Sequence, residues 1–532
     1  MSKPTEGVVL DLKDVELNEM DPEKQPMATA AAGETNGALK VKVLDDEVET
    51  RFTGLSKEEL LKVAGTPGWV RTRWALLILF WVGWLGMLVG AVLIIVQAPR
   101  CRQLPTQEWW QKGAIYEIGA VEAFQDSNDD GVGDLAGIKQ RIDDLGALKV
   151  KGLVIGPIHA TVADSLKETH LTQIDKAYGT MDNFTQLLET ARKKSIMIVL
   201  DLTPNYRGGN PWFSNTTVTD RNFQSQVKEA LSFWLEKGVA GIRLGGADQL
   251  HGLDVLEEWN NVTANYSTEE KSRVLIAVTD ISQPVDILTL VNQTSSEFLA
   301  GRYLLSDSER PTASELANKI WEYLEAAGQR WTCWSVGGPK VGHMASLVQE
   351  DLLRLYNILL FTLPGTPFTN YGDEIGLKDL PGQLPNPIMH WDDTETHGFS
   401  SKLPRDHADV NHNISVKVES TDKHSLLSLY KTLSERKGKE RSLLHGDFVP
   451  LQLTASANVY AYLRVWDQND RFLVALNLGT EKTTVALRHD QLPDSASLVL
   501  SSDPQRQEGS VELHKLELAP SEGVLLKFPY AA

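Results

Sequence analysis

The stretch DSNDDGVGD sets oxygen-bearing side chains at Asp126, Asn128, Asp130 and Asp134, with the carbonyl of Val132 in the same alternation. Oxygen ligands at i, i+2 and i+4, with a glycine that lets the chain turn, are the set a Ca²⁺ ion takes. Ca²⁺ is expected there as a structural ion that steadies the loop; the competing expectation is an acidic, solvated turn. Thiol chemistry rests on two cysteines, too few for a disulfide framework. Cys333, beside Trp331 and Trp334, is expected to be a buried, unpaired thiol. Cys101 stands between Arg100 and Arg102, where nothing apolar covers it. On an oxidising side such a cysteine suggests an intermolecular disulfide; on a cytosolic side it suggests palmitoylation. Six N-x-S/T sequons, at Asn183, Asn215, Asn261, Asn265, Asn292 and Asn413, offer glycan acceptors.

All of these residues follow one element, the uncharged run from Trp74 to Val96. As a helix it reaches ~34 Å, enough to cross a hydrocarbon core of ~30 Å. Arg71 and Arg73 precede it, Arg100 and Arg102 follow it, and Trp74, Trp81 and Trp84 crowd its first half as interface anchors do. It starts too far into the chain, and is too long, for a cleaved signal. The six sequons lie after it and none before, so the reading is a single-pass type II protein: N-terminus cytosolic, glycosylated body outside. Gly86 and Gly90 form a GxxxG step, a flat face for a partner helix or simply glycine common in spans.

A net charge of −19 argues against nucleic acid as a partner. Residues 1–73 read as a cytosolic arm, mostly disordered, with a short helix near 56–64 where Ser56 and Glu59 have capping-box spacing. Residues 97–108 form a stalk. From 109 to 440 short apolar strands alternate with amphipathic helices: 114–118, 152–156, 196–200, 241–244, 274–278, 302–305, 332–336 and 367–371. Eight such alternations predict a (β/α)₈ TIM barrel. From 441 to 532 the pattern changes to short alternating strands, VYAYLRVW, RFLVALNL, KTTVAL and GVLLKF, which predict an antiparallel β-sandwich.

Three segments carry a family likeness. WWQKGAIYEIGAVEAFQDSNDDGVGDLAGIKQRIDDLGALKVKGLVIGPI resembles the opening of α-amylase-family glycoside hydrolases, FTLPGTPFTNYGDEIG their last barrel strand, and VYAYLRVWDQNDRFLVALNL their C-terminal β-domain. The resemblance spans about 109–532 and implies a barrel carrying a β-domain. It also implies two carboxyl groups, nucleophile and acid/base, about 5 Å apart across the sugar. The family's nucleophile follows the fourth strand; here that segment is GIRLG, which keeps Gly241 and Arg243 but has Gly245 at the attacking position. Asp248 lies three residues further on. The acid/base position falls near Asp280, and the third carboxylate, which would fall in CWSVGG, is absent. In DLTPNY, Asp201 and Asn205 remain, and Tyr206 replaces a histidine. The third loop, 206–221, is short where the family inserts a lid, so a sugar cleft would be open and wet. Loops like DSNDDGVGD bind Ca²⁺ in oligoglucosidase-like members.

An amylase-like barrel without its nucleophile, on a type II anchor with a stalk cysteine, resembles the heavy subunits of heteromeric amino-acid transporters. FTGLSKEELLKVAGTPGWVRTRWALL, APRCR and the tail FPYAA carry that likeness. It implies a non-catalytic subunit, disulfide-linked through Cys101 to a multispanning transporter light chain, at the plasma membrane, with integrin as a further contact. Two other readings are a membrane-anchored α-glucosidase, which needs Asp280 or Asp248 to act without a nucleophile, and a carbohydrate-binding adhesion ectodomain.

Overall fold

The computed structural model describes residues 56–97, 101–250, 254–293, 296–306, 308, 310–380, 386–402, 414–451 and 458–530. The chain divides into two units, 1–99 and 100–532.

In the first unit, Lys57–Ala64 is a helix closed by the expected capping box: Ser56 Oγ accepts the Glu59 N–H, and the Glu59 carboxylate accepts the Ser56 N–H. A second helix, Pro67–Gln97, contains the apolar run. It begins seven residues before Trp74, because Pro67 in the first helical turn initiates a helix there. Gly86 and Gly90, one turn apart, lie in its continuous body, and a Cβ added at either meets nothing within 4 Å.

The second unit is built on an eight-stranded parallel sheet. Its strands are β1 (Ile115–Ile118), β2 (Gly152–Ile155), β3 (Met197–Asp201), β4 (Gly241–Leu244), β5 (Val274–Thr279), β6 (Glu297–Ala300), β7 (Cys333–Ser335) and β8 (Thr366–Asn370). They follow one another as β6-β5-β4-β3-β2-β1-β8-β7. The remaining seam, β6 to β7, is closed by the Gly337 N–H donating to Gly301 O at 2.8 Å, and the Tyr323 hydroxyl reaches carbonyls on both strands, Phe298 O and Cys333 O, at 3.3 Å. The expected (β/α)₈ barrel is present, with one correction: the sixth strand is 297–300, not 302–305. Tyr303 and Leu304 are buried, but in a turn, where the Tyr303 hydroxyl donates to Lys319 O. The apolar signal there came from packing on the helix Ala313–Ala327 rather than from a strand.

Local rules explain the outer helices. Arg221–Lys237 has Asp220 as its N-cap, Gly238 in the left-handed region as its stop, and buries Phe223, Val227, Leu231 and Trp234 along one face.

The barrel interior is layered by the two-residue period of its strands. Ile115, Val154, Val199, Ile276, Leu299 and Phe368 belong to one buried apolar cluster, to which Trp110 also belongs. Two residues beyond Ile115 and Val199 on their strands come Glu117 and Asp201, and two beyond Gly241 comes Arg243. The other end is sealed by indoles. Trp110 Nε1 donates to Glu297 at 2.9 Å and Trp109 Nε1 to Ser272 O at 3.2 Å. Trp331 Nε1 donates to Thr366 Oγ1 at 2.8 Å, and that hydroxyl donates to Trp110 O at 2.7 Å.

The C-terminal region is an antiparallel sheet of six strands, 447–451, 459–465, 471–477, 523–528, 495–501 and 510–512, with a second layer of two, 483–485 and 516–518. Both faces of the large sheet are buried. Tyr460, Tyr462, Val474, Leu476 and Leu525 join the barrel's core, while Val459, Ala461, Leu463, Leu473, Val524 and Leu526 meet Val485, Leu516 and Leu518 of the small layer. The sandwich is thus lopsided, and the barrel covers the face that the second layer does not.

Candidate functional site

The ends of β1, β3 and β4 bring Glu117, Asp201 and Arg243 together, all three buried. Arg243 Nε lies 3.1 Å from Glu117 Oε1, and Nη1 pairs with Asp201 Oδ2. Burial works against the arginine's charge, but Asp201 and Glu117 more than offset it, and its pKa stands above the ordinary value. Burial likewise lifts the Glu117 carboxyl, with Arg243 pulling it back. The other oxygen of Asp201 accepts both the Thr203 hydroxyl at 2.6 Å and the Thr203 N–H at 2.8 Å. Both carboxylates are thus paired with Arg243, and Asp201 is engaged on both of its oxygens.

At the nucleophile position, Gly245 gives its N–H to Thr203 Oγ1 at 2.8 Å. A Cβ built there would lie 3.0 Å from Thr203 Oγ1 and 3.8 Å from Arg243 Nη1. The backbone therefore passes where an attacking group would be mounted, and glycine supplies none. Asp248 does not replace it: it sits in the turn Ala247–Leu250 and accepts the Thr279 hydroxyl at 2.8 Å. Asp280 is exposed just beyond β5, and crowding by the surrounding protein raises its carboxyl against the pull of Arg243 and Lys340. An acid is present without a nucleophile.

Two further features shape the rim of the mouth. Trp212, in the short third loop, is fully buried; its Nε1 is shared between Gly245 O at 3.0 Å and Gly246 O at 3.1 Å, and its ring stacks on Trp259. After β7, where the third carboxylate is missing, residues 337–342 form a tight hairpin. Its Pro339 packs so closely on Gly119 that a Cβ there would fall 2.1 Å from Pro339 Cγ. A cavity of about 450 Å³ remains, bordered by Asp201, Arg243, Gly245, Asp280 and Lys340 among others. Asn205 fastens loops, bonding Asp164 and Asn210 O, and the Tyr206 hydroxyl donates to His159 O.

Sequence reasoning missed Glu117, Trp212 and Pro339. Glu117 had a signal, since a glutamate inside a wholly apolar strand needs a partner. Trp212 and Pro339 had none, because their effect depends on which glycines they meet.

In the loop 126–134, Asp126 accepts the N–H groups of Asn128 and Asp129 on Oδ1, both at 2.9 Å, and Gly131 N–H and the Ser400 hydroxyl on Oδ2. Asp134 caps the next helix through Gly137 N–H and accepts the Ser127 N–H and hydroxyl. Asn128 and Asp130 each accept one N–H, from Asp130 and Val132. Among the described residues no three His, Cys, Asp or Glu side chains converge as a metal site. Acceptor capacity is left on Asn128 and Asp130, whereas both oxygens of Asp126 are taken twice.

Cys101 is exposed and Cys333 buried, both as free thiols. Burial pushes the Cys333 thiol well up, which makes it inert. Of the sequon asparagines, Asn215, Asn261, Asn265 and Asn292 are exposed. Asn183 is half-buried, with its side-chain oxygen accepting from Thr180 as part of a capping box. Asn413 lies outside the described residues.

Residues 40–116 match the family described as Solute carrier family 3 member 2 N-terminus, and residues 121–224 match Alpha amylase, catalytic domain. The chain is 48% identical to the amino acid transporter heavy chain SLC3A2 of Oryctolagus cuniculus, over 100% of both. It is 25% identical to the SLC3A1 heavy chain of Rattus norvegicus, over 96% of this chain and 91% of that one. The trehalulose synthase MutB from Pseudomonas mesoacidophila superposes with a TM-score of 0.64 at 18% identity, covering 80% of this chain and 100% of its own, a likeness of fold alone. With the nucleophile position empty and a full-length relative at this identity, the chain belongs to the family of amino acid transporter heavy chains, built on an amylase-like barrel that is not an enzyme.

Proposed function

We propose that the chain is an escort subunit that stabilises a multispanning amino-acid transporter light chain at the plasma membrane. The observation that carries this reading is the barrel mouth: Gly245 in place of a nucleophile, with Arg243 consumed by Glu117 and Asp201. Among the described residues one helix is long and apolar enough to span a membrane, and a single helix makes no path for a polar solute, so transport belongs to the partner. In this reading the N-terminus is cytosolic and the second unit lies outside, bearing glycans at some of Asn183, Asn215, Asn261, Asn265, Asn292 and Asn413. Cys101 forms the interchain disulfide, Gly86 and Gly90 give a flat face to a partner helix, and integrin contact runs through the membrane and cytosolic segments. Non-reducing electrophoresis tests the link: a high-mass adduct disappears in Cys101→Ser, and its persistence would sink the assignment.

Ca²⁺ is proposed for the loop 126–134 only, as a weak structural ion in the millimolar range typical of extracellular modules. Asn128, Asp130 and the Val132 carbonyl would supply ligands, with Asp126 and Asp134 yielding donors they now hold. The expected result is a Tm that rises with millimolar Ca²⁺ and falls back with chelator. A Tm indifferent to both would leave the loop closed by its own hydrogen bonds.

A further inference from the structure

The stalk is not a free tether. Residues 101–106 are exposed, yet Arg102 makes three contacts with one corner of the C-terminal sheet. Its backbone N–H donates to Asp467 Oδ2 at 3.0 Å, its Nη1 reaches Asp447 Oδ2 at 3.3 Å, and its guanidinium lies 4.5 Å from the ring centre of Trp466. The corner is made for this. Trp466 is only 3% exposed, packed from behind by His445 and covered by Arg102 in front. Asp467 holds φ at 44° in the turn between the strands 459–465 and 471–477, a conformation aspartate tolerates.

We propose that Arg102 is a positioning residue. It seats the stalk on the C-terminal sheet so that Cys101 offers its thiol from a fixed place beside Asp447 and Asp467. The partner's cysteine-bearing segment meets it at that sheet corner. The inference rests on the disulfide reading of Cys101 given above. The guanidinium, laid on Trp466 and reaching Asp447, holds the Arg102 N–H against Asp467; because the Arg102 nitrogen is bonded directly to the Cys101 carbonyl carbon, this side-chain seat also fixes the Cys101 peptide. Without that seat the next tie along the chain is at Trp109, and seven extended residues would let the thiol sweep a radius of roughly 24 Å. Confining it raises the effective concentration of one thiol beside the other. In the joining step the Cys101 and partner thiols lose two protons and two electrons. The electrons pass by thiol–disulfide exchange to a disulfide oxidant, which leaves as two thiols.

The full chain, labelled at Cys101 with a methanethiosulfonate spin label, tests the seat directly; buried Cys333 is not labelled. Wild type should give a broad, immobilised spectrum and Arg102→Ala a narrow one at unchanged Tm. Arg102→Lys should fall between, since it keeps the charge but loses the flat stacking surface. In cells, Arg102→Ala should lower the cross-linked fraction several-fold while the partner's abundance is held constant. Equal label mobility in wild type and Arg102→Ala would overturn the seat and leave the disulfide reading standing. Survival of the adduct in Cys101→Ser would overturn the disulfide reading without touching the mobility result.

Discussion

The two ends of the barrel handle buried polar groups in opposite ways. At the mouth, charges neutralise charges: Arg243 is held between Glu117 and Asp201, and glycines at 119 and 246 let Pro339 and Trp212 approach. At the floor, where the stalk enters, indole N–H groups do the bonding: Trp109, Trp110 and Trp331 each donate once, to Ser272 O, Glu297 and Thr366 Oγ1. A buried ion cluster contributes little net stability once desolvation is counted, though losing one member costs much. Aromatic rings bring a large apolar area with a single polar atom to satisfy. The mouth therefore keeps the outline of a site without its chemistry, and the floor fastens Trp109 and Trp110 to the barrel.

The contrast can be broken in four ways. Trp110→Ala should be the most damaging, removing a nearly buried ring and the partner of Glu297; about 3–5 kcal/mol is expected in chemical denaturation. Arg243→Met should cost about 3 kcal/mol by leaving two carboxylates buried and uncompensated. Adding Glu117→Gln and Asp201→Asn should restore most of that loss, and no recovery would mean the cluster does more than balance itself.

The floor should also give a pH signature. Burial raises the Glu297 carboxyl from 4.5 to about 7, with the Trp110 N–H pulling it down. Between those values the folded chain keeps a proton that the unfolded chain has released. This contribution is therefore greatest below the unfolded value and is lost as pH rises to about 7. Glu297→Gln keeps an acceptor for Trp110 and should flatten this slope by about 1–3 kcal/mol between pH 5 and 8, measured by denaturation at each pH. An unchanged slope would assign the titration elsewhere, for instance to Glu374, also raised by burial to about 7. The smallest expected effect is Gly245→Asp. It should leave maltose and p-nitrophenyl-glucoside turnover at background, because the new carboxylate meets Thr203 and Arg243 and the third carboxylate is still missing. Turnover above background would show the mouth to be one residue from an enzyme.

Much of this was legible in the sequence. The apolar run, the capping box at Ser56, seven of eight barrel strands and the vacancy at Gly245 follow from spacing, period and one motif comparison. The sixth strand escaped because Tyr303 and Leu304 imitate strand burial while lying in a turn. The shape of the rim escaped for another reason. Trp212 and Pro339 act through contacts with residues distant in sequence, and close approach to glycine leaves no pattern along the chain. Arg102 shows the same limit: beside an exposed cysteine it reads as a flanking charge, and only the fold brings Trp466 and Asp467 to it.

The helix Pro67–Gln97 carries a consequence of its own. At 31 residues it is ~46 Å long, well beyond a hydrocarbon core of ~30 Å, and its first turns carry Arg71 and Arg73. Sliding the helix along its axis to bury either arginine would cost on the order of 3 kcal/mol. Rolling or tilting it costs far less, since the apolar surface runs all the way round. For a helix of this kind set across a bilayer, a stroke along the axis is the costly motion and a twist or a lean the cheap one.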